Sequence, residues 1–144
     1  MSEAAYLPDV NVLVALSDPS HIHNLPAENW RQRIGIARFL LCPITEAGFV
    51  RLMANPSVGD LSMSDSVLLL HEIAALPNCE SLPIVHSWLE LIQPFTHRLH
   101  GYRQATDALL LGLAIRNEAI LVTLDRTIQA LAGEAYAANL LTLA

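Results

Sequence analysis

The stretch Gln104-Ala105-Thr106-Asp107-Ala108-Leu109-Leu110-Leu111-Gly112-Leu113-Ala114-Ile115-Arg116-Asn117, followed by Ile120-Leu121-Val122-Thr123-Leu124-Asp125, decides the fold. Its first part reads as a helix from Gln104 to about Asn117. That helix is so apolar from Ala108 to Ile115 that it must be largely buried. Its second part reads as a strand, Ile120 to Thr123, with a short helix after Asp125.

The same alternation extends toward the N-terminus. A short strand near Ala5 to Pro8 leads into a helix from about Asn11 to Leu16. A Pro/Ser/His turn from Asp18 to His23, with Ser20 as N-cap, precedes a helix to about Ile34. Arg38 to Cys42 is a strand, and the helix from Ile44 to about Ala54 ends before Asn55-Pro56. Ser64 caps a helix to about Leu76, and Cys79 to Ile84 reads as a strand. A helix from about His86 ends near Pro94, and Leu140 to Leu143 is the last strand. Strands alternating with helices imply an α/β protein with a mostly parallel sheet covered on both faces. Such sheets carry their sites in a crevice beyond the carboxyl ends of the strands.

A chain of 144 residues without a repeat or linker fits a single domain spanning 1–144. Its 53% hydrophobic content argues against disorder. No apolar run reaches the ~20 residues of a membrane span, and the N-terminus lacks a basic region before an apolar run. The expected location is the cytoplasm. Cys42 and Cys79 form no CxxC, so they make no zinc site, and a reducing compartment would leave them as thiols. The net charge of −6 is unexpected for a nucleic-acid binder. Setting four of the 14 acids aside as metal ligands leaves ten against eight bases, so the balance excludes only a broad polyanion binder. All eight bases are arginine.

Four acids fall where the crevice should lie. Asp9 follows the first strand, Glu46 sits in the first turn after the second, Asp107 opens the buried helix, and Asp125 follows the strand ending at Thr123. An acid at the mouth of a buried helix needs a partner, because an unpaired desolvated carboxylate is costly. The chain has no lysine to supply one, and Arg103 and Arg126 cannot serve all four acids. Convergent oxygen ligands without a cysteine or histidine cluster suit Mg²⁺ or Mn²⁺. Carboxylate-held metal can activate water and stabilise the leaving oxygen of a phosphodiester. Each acid also has an ordinary structural use. Asp9 and Asp125 suit helix N-caps, and Glu46 and Asp107 suit first turns that complement the helix dipole. Spacing alone leaves both readings open.

Four segments carry a resemblance: Asp9-Val10-Asn11-Val12-Leu13, Pro43-Ile44-Thr45-Glu46, Gly101-Tyr102-Arg103-Gln104-Ala105-Thr106-Asp107-Ala108 and Val122-Thr123-Leu124-Asp125-Arg126. In this order the chain resembles the PIN-domain ribonucleases, most closely the VapC toxins of toxin–antitoxin pairs, from Leu7 to about Leu143. The resemblance implies a three-layer α/β/α sandwich with a central, mostly parallel sheet. It implies an endoribonuclease whose acidic pocket is Asp9, Glu46, Asp107 and Asp125, with Asp9 and Asp107 the surest Mg²⁺ ligands. It suggests that Asn11, Thr45 and Thr123 orient the carboxylates. It also implies a homodimer and a cognate VapB-like antitoxin. The chain departs from the family pattern at Tyr102 and Thr127, which bears on substrate preference and not on the acids.

Beside the pocket, Arg103 is a candidate for RNA phosphates and Tyr102 for stacking on a base. Arg98 reads as an ordinary surface arginine. His21 and His23 read as a helix start without a third ligand. His71 and His86 read as structural residues on helices, and Trp30 and Trp88 as packing residues or dimer contacts. The competing functions are a catalytically inactive PIN-like binding module acting through a partner, a phosphorylatable receiver domain, and a flap-type DNA nuclease. The receiver requires a lysine that the chain lacks, and flap nucleases usually need a longer chain.

Overall fold

The computed structural model describes residues 4–143. Five strands form one sheet: β1 (Ala5–Pro8), β2 (Arg38–Leu41), β3 (Cys79–Ser81), β4 (Ile120–Thr123) and β5 (Leu140–Thr142). Every pairing is parallel, and the order is β3-β2-β1-β4-β5. Helices α1 (Val10–Ser17), α2 (Asn24–Ile34), α3 (Pro43–Met53) and α4 (Met63–Ala74) cover one face. Helices α5 (Trp88–Ile92), α6 (Ala105–Arg116) and α7 (Ile128–Ala132) cover the other. Three short 3-10 helices complete the set among the described residues: Gln93–Arg98, Tyr102–Gln104 and Ala137–Asn139.

The period-2 alternation of strand side chains builds the layers. Leu7, Leu40 and Leu121 face α5, α6 and α7, whereas Phe39, Leu41 and Val122 face α1 to α4. Two apolar cores result, one on each side of the sheet, as expected for an α/β/α sandwich. The chain winds in both directions from β1, with β2 on one side and β4 on the other. The switch point of the sheet therefore lies between the carboxyl ends of β1 and β4, where such folds open a crevice. On the far face, α5 lies hard against α6. A Cβ at Gly112 would run into the backbone carbonyl of Leu91, so only glycine permits this approach.

Several sequence boundaries move. Ser62, not Ser64, caps α4, its Oγ accepting a 3.0 Å hydrogen bond from Asp65 N. Ser20 does not cap α2. Its N and Oγ donate to Asp18 Oδ1 at 3.0 and 2.7 Å, which closes a local turn instead. β3 stops at Ser81 because Pro83 cannot donate to a ladder. Pro94 does not end a helix. α5 ends at Ile92, and Pro94 sits in the first turn of the following 3-10 helix, where a missing N–H costs nothing. His86 lies before α5 and not on it. Ser87 caps that helix, and Glu90 reaches back to Ser87. Cys42 and Cys79 are both free thiols.

Candidate active site

Asp9 is fixed by its place after β1. Its backbone N–H donates to Val122 O at 2.9 Å, which continues the β1–β4 ladder by one residue. It then turns the chain into α1 as N-cap, with Oδ1 accepting from Val12 N at 3.0 Å. Its other oxygen, Oδ2, accepts a 2.6 Å hydrogen bond from Thr123 Oγ1. The residue is only 6% exposed. Burial raises its pKa above the ordinary value. The Thr123 and Val12 hydrogen bonds oppose that rise, and the charge of Asp125 adds to it.

Thr123, the buried last residue of β4, serves two acids at once. Its hydroxyl donates to Asp9 and accepts from Asp125 N at 3.0 Å. Asp125 is exposed, and its Oδ1 accepts from both Thr127 N (2.9 Å) and Thr127 Oγ1 (2.7 Å). The expectation that Thr127 does not bear on the acids is thus overturned, because Asp-Arg-Thr closes a side-chain turn that ties Thr127 to Asp125. Asp107 lies half-buried in the first turn of α6. Its pKa is pushed up to about 6, first by burial and then by the charges of Asp9 and Asp125. The structure thus brings three acids from three elements within mutual electrostatic reach.

Glu46 comes from a fourth element, α3. It is half-buried in the first turn of α3 and is not among the charges that raise Asp9 or Asp107. Its charge is felt instead at Cys79, whose thiol is pushed up to about 11 by burial, then Glu46 and Glu80. Of the three residues expected to orient the acids, only Thr123 touches one with its side chain. The Thr45 hydroxyl is spent on its own helix start, accepting from Cys42 N and donating to Cys42 O, both at 3.1 Å. Pro43 occupies the first helical position, where a missing N–H costs nothing. Asn11 is exposed, and only its backbone N–H assists Asp9.

Among the described residues no salt bridge offsets the trio. Arg38–Glu80 is the sole ion pair among the described residues. Arg126 is exposed. Arg103 is also exposed and turns to its neighbour, with Nε 3.3 Å from Tyr102 Oη and the guanidinium 5.7 Å from the ring centroid. Arg98 faces inward rather than outward. Its Nη1 is buried against Gly133 and has no hydrogen-bond partner among the described residues.

Mutually repelling hard oxygens without a resident cation form a donor set for a hard divalent ion. No three His, Cys, Asp or Glu side chains among the described residues close around one point. The arrangement is therefore an open acidic cleft and not a cage. That suits Mg²⁺, which keeps several waters and takes only one or two carboxylates directly. The residues present fit such an ion.

A family model for the PIN domain matches residues 6–134. Ribonuclease VapC38 of Mycobacterium tuberculosis (strain ATCC 25618 / H37Rv) is 38% identical over 128 residues, 88% of this chain and 89% of that protein. Ribonucleases VapC39 and VapC44 of the same strain are 34% and 33% identical over 122 and 123 residues. They cover 83% and 85% of this chain, and 87% of each relative.

Proposed function

Because the chain belongs to the PIN-domain family, among the VapC ribonucleases, we propose that it is a metal-dependent endoribonuclease and the toxin half of a toxin–antitoxin pair. It cuts RNA phosphodiester bonds with water. Residues 1–144 act as one PIN-like domain, as a homodimer in the cytoplasm, restrained by a VapB-like antitoxin. Among the described residues no helix is long and apolar enough to cross a membrane. The observation that carries this reading is the uncompensated trio of Asp9, Asp107 and Asp125 at the switch point of the sheet.

Mg²⁺, or Mn²⁺, bound chiefly by Asp9 and Asp107 would supply Lewis-acid activation of water and neutralise charge on the phosphate. Glu46, in the first turn of α3, would complete this set. The protein's own groups do the positioning. Thr123 and the Val12 N–H hold both oxygens of Asp9, so the carboxylate cannot rotate. Thr127 occupies Oδ1 of Asp125 and leaves Oδ2 at the exposed mouth to orient the attacking water and accept its proton. Arg103 contacts RNA phosphates and Tyr102, 85% exposed, stacks on a base.

One observation favours the alternative of a catalytically inactive binding module, namely that the charge of Glu46 is not among those that raise Asp9 and Asp107. The deciding experiment is RNA cleavage by purified, partner-free protein with Mg²⁺, Mn²⁺ or EDTA, alongside Asp107→Asn. Metal-dependent cleavage that vanishes in the variant supports the nuclease. A folded protein that cuts no cellular RNA under any of these conditions sinks it.

A further inference from the structure

The two tryptophans have opposite surroundings. Trp30 is 1% exposed, edge-on to Tyr6 and tilted against Phe39 within the core. Trp88, the first residue of α5, remains 39% exposed, between Val85 and Leu89 at 76% and 71%. Packing therefore explains Trp30 and leaves Trp88 unexplained. Nor is the Trp88 ring free to swing. Its Nε1 donates a 2.9 Å hydrogen bond to Ala105 O, at the first residue of α6 and two residues before Asp107. Both ends of this arrangement are anchored. The Ser87–Glu90 box fixes where α5 begins, and the glycine contact at Gly112 fixes α5 on α6. An indole with its polar edge tied down presents a flat apolar face at a set angle.

We infer that Trp88 is a base-stacking residue, holding one nucleobase of single-stranded RNA beside the helix end that carries Asp107. The inference rests on the proposed ribonuclease reading for its substrate. Stacking needs one ring face per base and is worth a measurable amount by itself. Tyr102 and Arg103 precede the same helix end, so the strand would meet π-faces and a cation on its way to the acids. A second copy of the chain is the weaker occupant. Stable interfaces bury about 800 Å² per partner, far more than three neighbouring side chains offer. Because every base has a π-face, Trp88 would contribute affinity with only mild sequence preference.

The test uses intrinsic fluorescence, which reports on Trp88 because Trp30 is shielded. A single-stranded RNA of about ten nucleotides, within the span one stacking groove accommodates, is titrated into the Asp107→Asn protein to prevent turnover. Saturable quenching is expected. Trp88→Ala on the same background, read by the anisotropy of a dye-labelled copy of that RNA because the variant keeps no reporting indole, should weaken binding about tenfold, whereas Trp88→Phe, which keeps a ring, should stay within about threefold. In the active protein, Trp88→Phe should raise KM more than it lowers kcat. A residue that merely anchored α6 would lower kcat and leave emission unmoved by RNA. Absence of quenching, or equal affinity of Trp88→Ala and parent, overturns the inference. So does an emission change that follows protein concentration without RNA, which would assign the surface to self-association. Quenching by a protein that cuts no RNA upholds the stack and defeats the nuclease reading. Metal-dependent cleavage with a silent Trp88 does the reverse.

Discussion

Thr123 Oγ1 lies 2.6 Å from Asp9 Oδ2 and donates to it across the central β4–β1 pair. Removing that donor leaves a buried carboxylate oxygen without its partner. Thr123→Val keeps the shape and should destabilise the protein by about 1–3 kcal/mol at pH 7. The lost hydrogen bond is one that lowers the Asp9 pKa, so that pKa should rise further. Urea denaturation and a carboxyl-carbon titration by NMR check both. An unchanged Asp9 titration would show that the bond does not tune the acid.

Asp107 has an ordinary value of 3.8 that the fold raises to about 6. The folded state thus holds this proton more tightly than the unfolded state does. The contribution of Asp107 to stability should therefore fall as pH rises from about 4 to about 6 and stay level above that. Asp107→Asn should stabilise the metal-free protein at pH 7 by about 1 kcal/mol, after allowance for solvent screening at a half-exposed group. At pH 4 the two proteins should be equally stable. Thermal melts at both pH values decide it, and a variant less stable than the parent at pH 7 would contradict the repulsion described here.

The same acid sets a proton–metal competition. At low Mg²⁺, cleavage should increase between pH 5 and pH 7 as Asp107 loses its proton. Raising Mg²⁺ should move the midpoint to lower pH. A midpoint insensitive to metal concentration would mean that Asp107 does not bind the ion.

Thr127 offers a separation of function. It is exposed, and both its donors go to Asp125 Oδ1. Thr127→Val removes the hydroxyl and should lower kcat roughly tenfold, the weight of a misoriented base. Stability should change by no more than about 0.5 kcal/mol, as usual for a surface site. An unchanged kcat would remove Asp125 from the handling of water.

How far the sequence could be read follows from which forces act locally. The buried α6 and the strands β1, β2 and β4 were legible because apolar burial imprints its period on the sequence. Asp9 and Asp107 were found because an acid beside such segments demands an explanation. The helix starts were harder to read. Ser62 and Ser64, or Ser20 and Asp18, offer nearly equivalent hydroxyls and carboxylates, and only tertiary packing selects which one caps. Thr45 and Asn11 were assigned to the acids by resemblance. Their actual bonds depend on rotamers that no residue pattern encodes.

Gly112 provides a further prediction. Because a Cβ there would strike Leu91 O, Gly112→Ala must push α5 off α6 and should cost about 1–3 kcal/mol. Chemical denaturation measures this directly. Any loss below about 0.5 kcal/mol would mean that the seam has slack.

Asp9 is at once the most buried of the acids and the N-cap of α1, whereas Asp107 caps no helix and Asp125 closes only the exposed turn to Thr127. This unequal burden shapes how the protein can be disarmed. A lineage shedding a harmful activity while keeping its fold has cheap exits at Asp107 and Asp125. At Asp9, replacement by any residue that is a poor N-cap weakens a helix start along with the chemistry. Spontaneous escape variants selected for survival should therefore collect at the two outer acids when folded protein is retained, and reach Asp9 chiefly among variants that have lost the protein altogether.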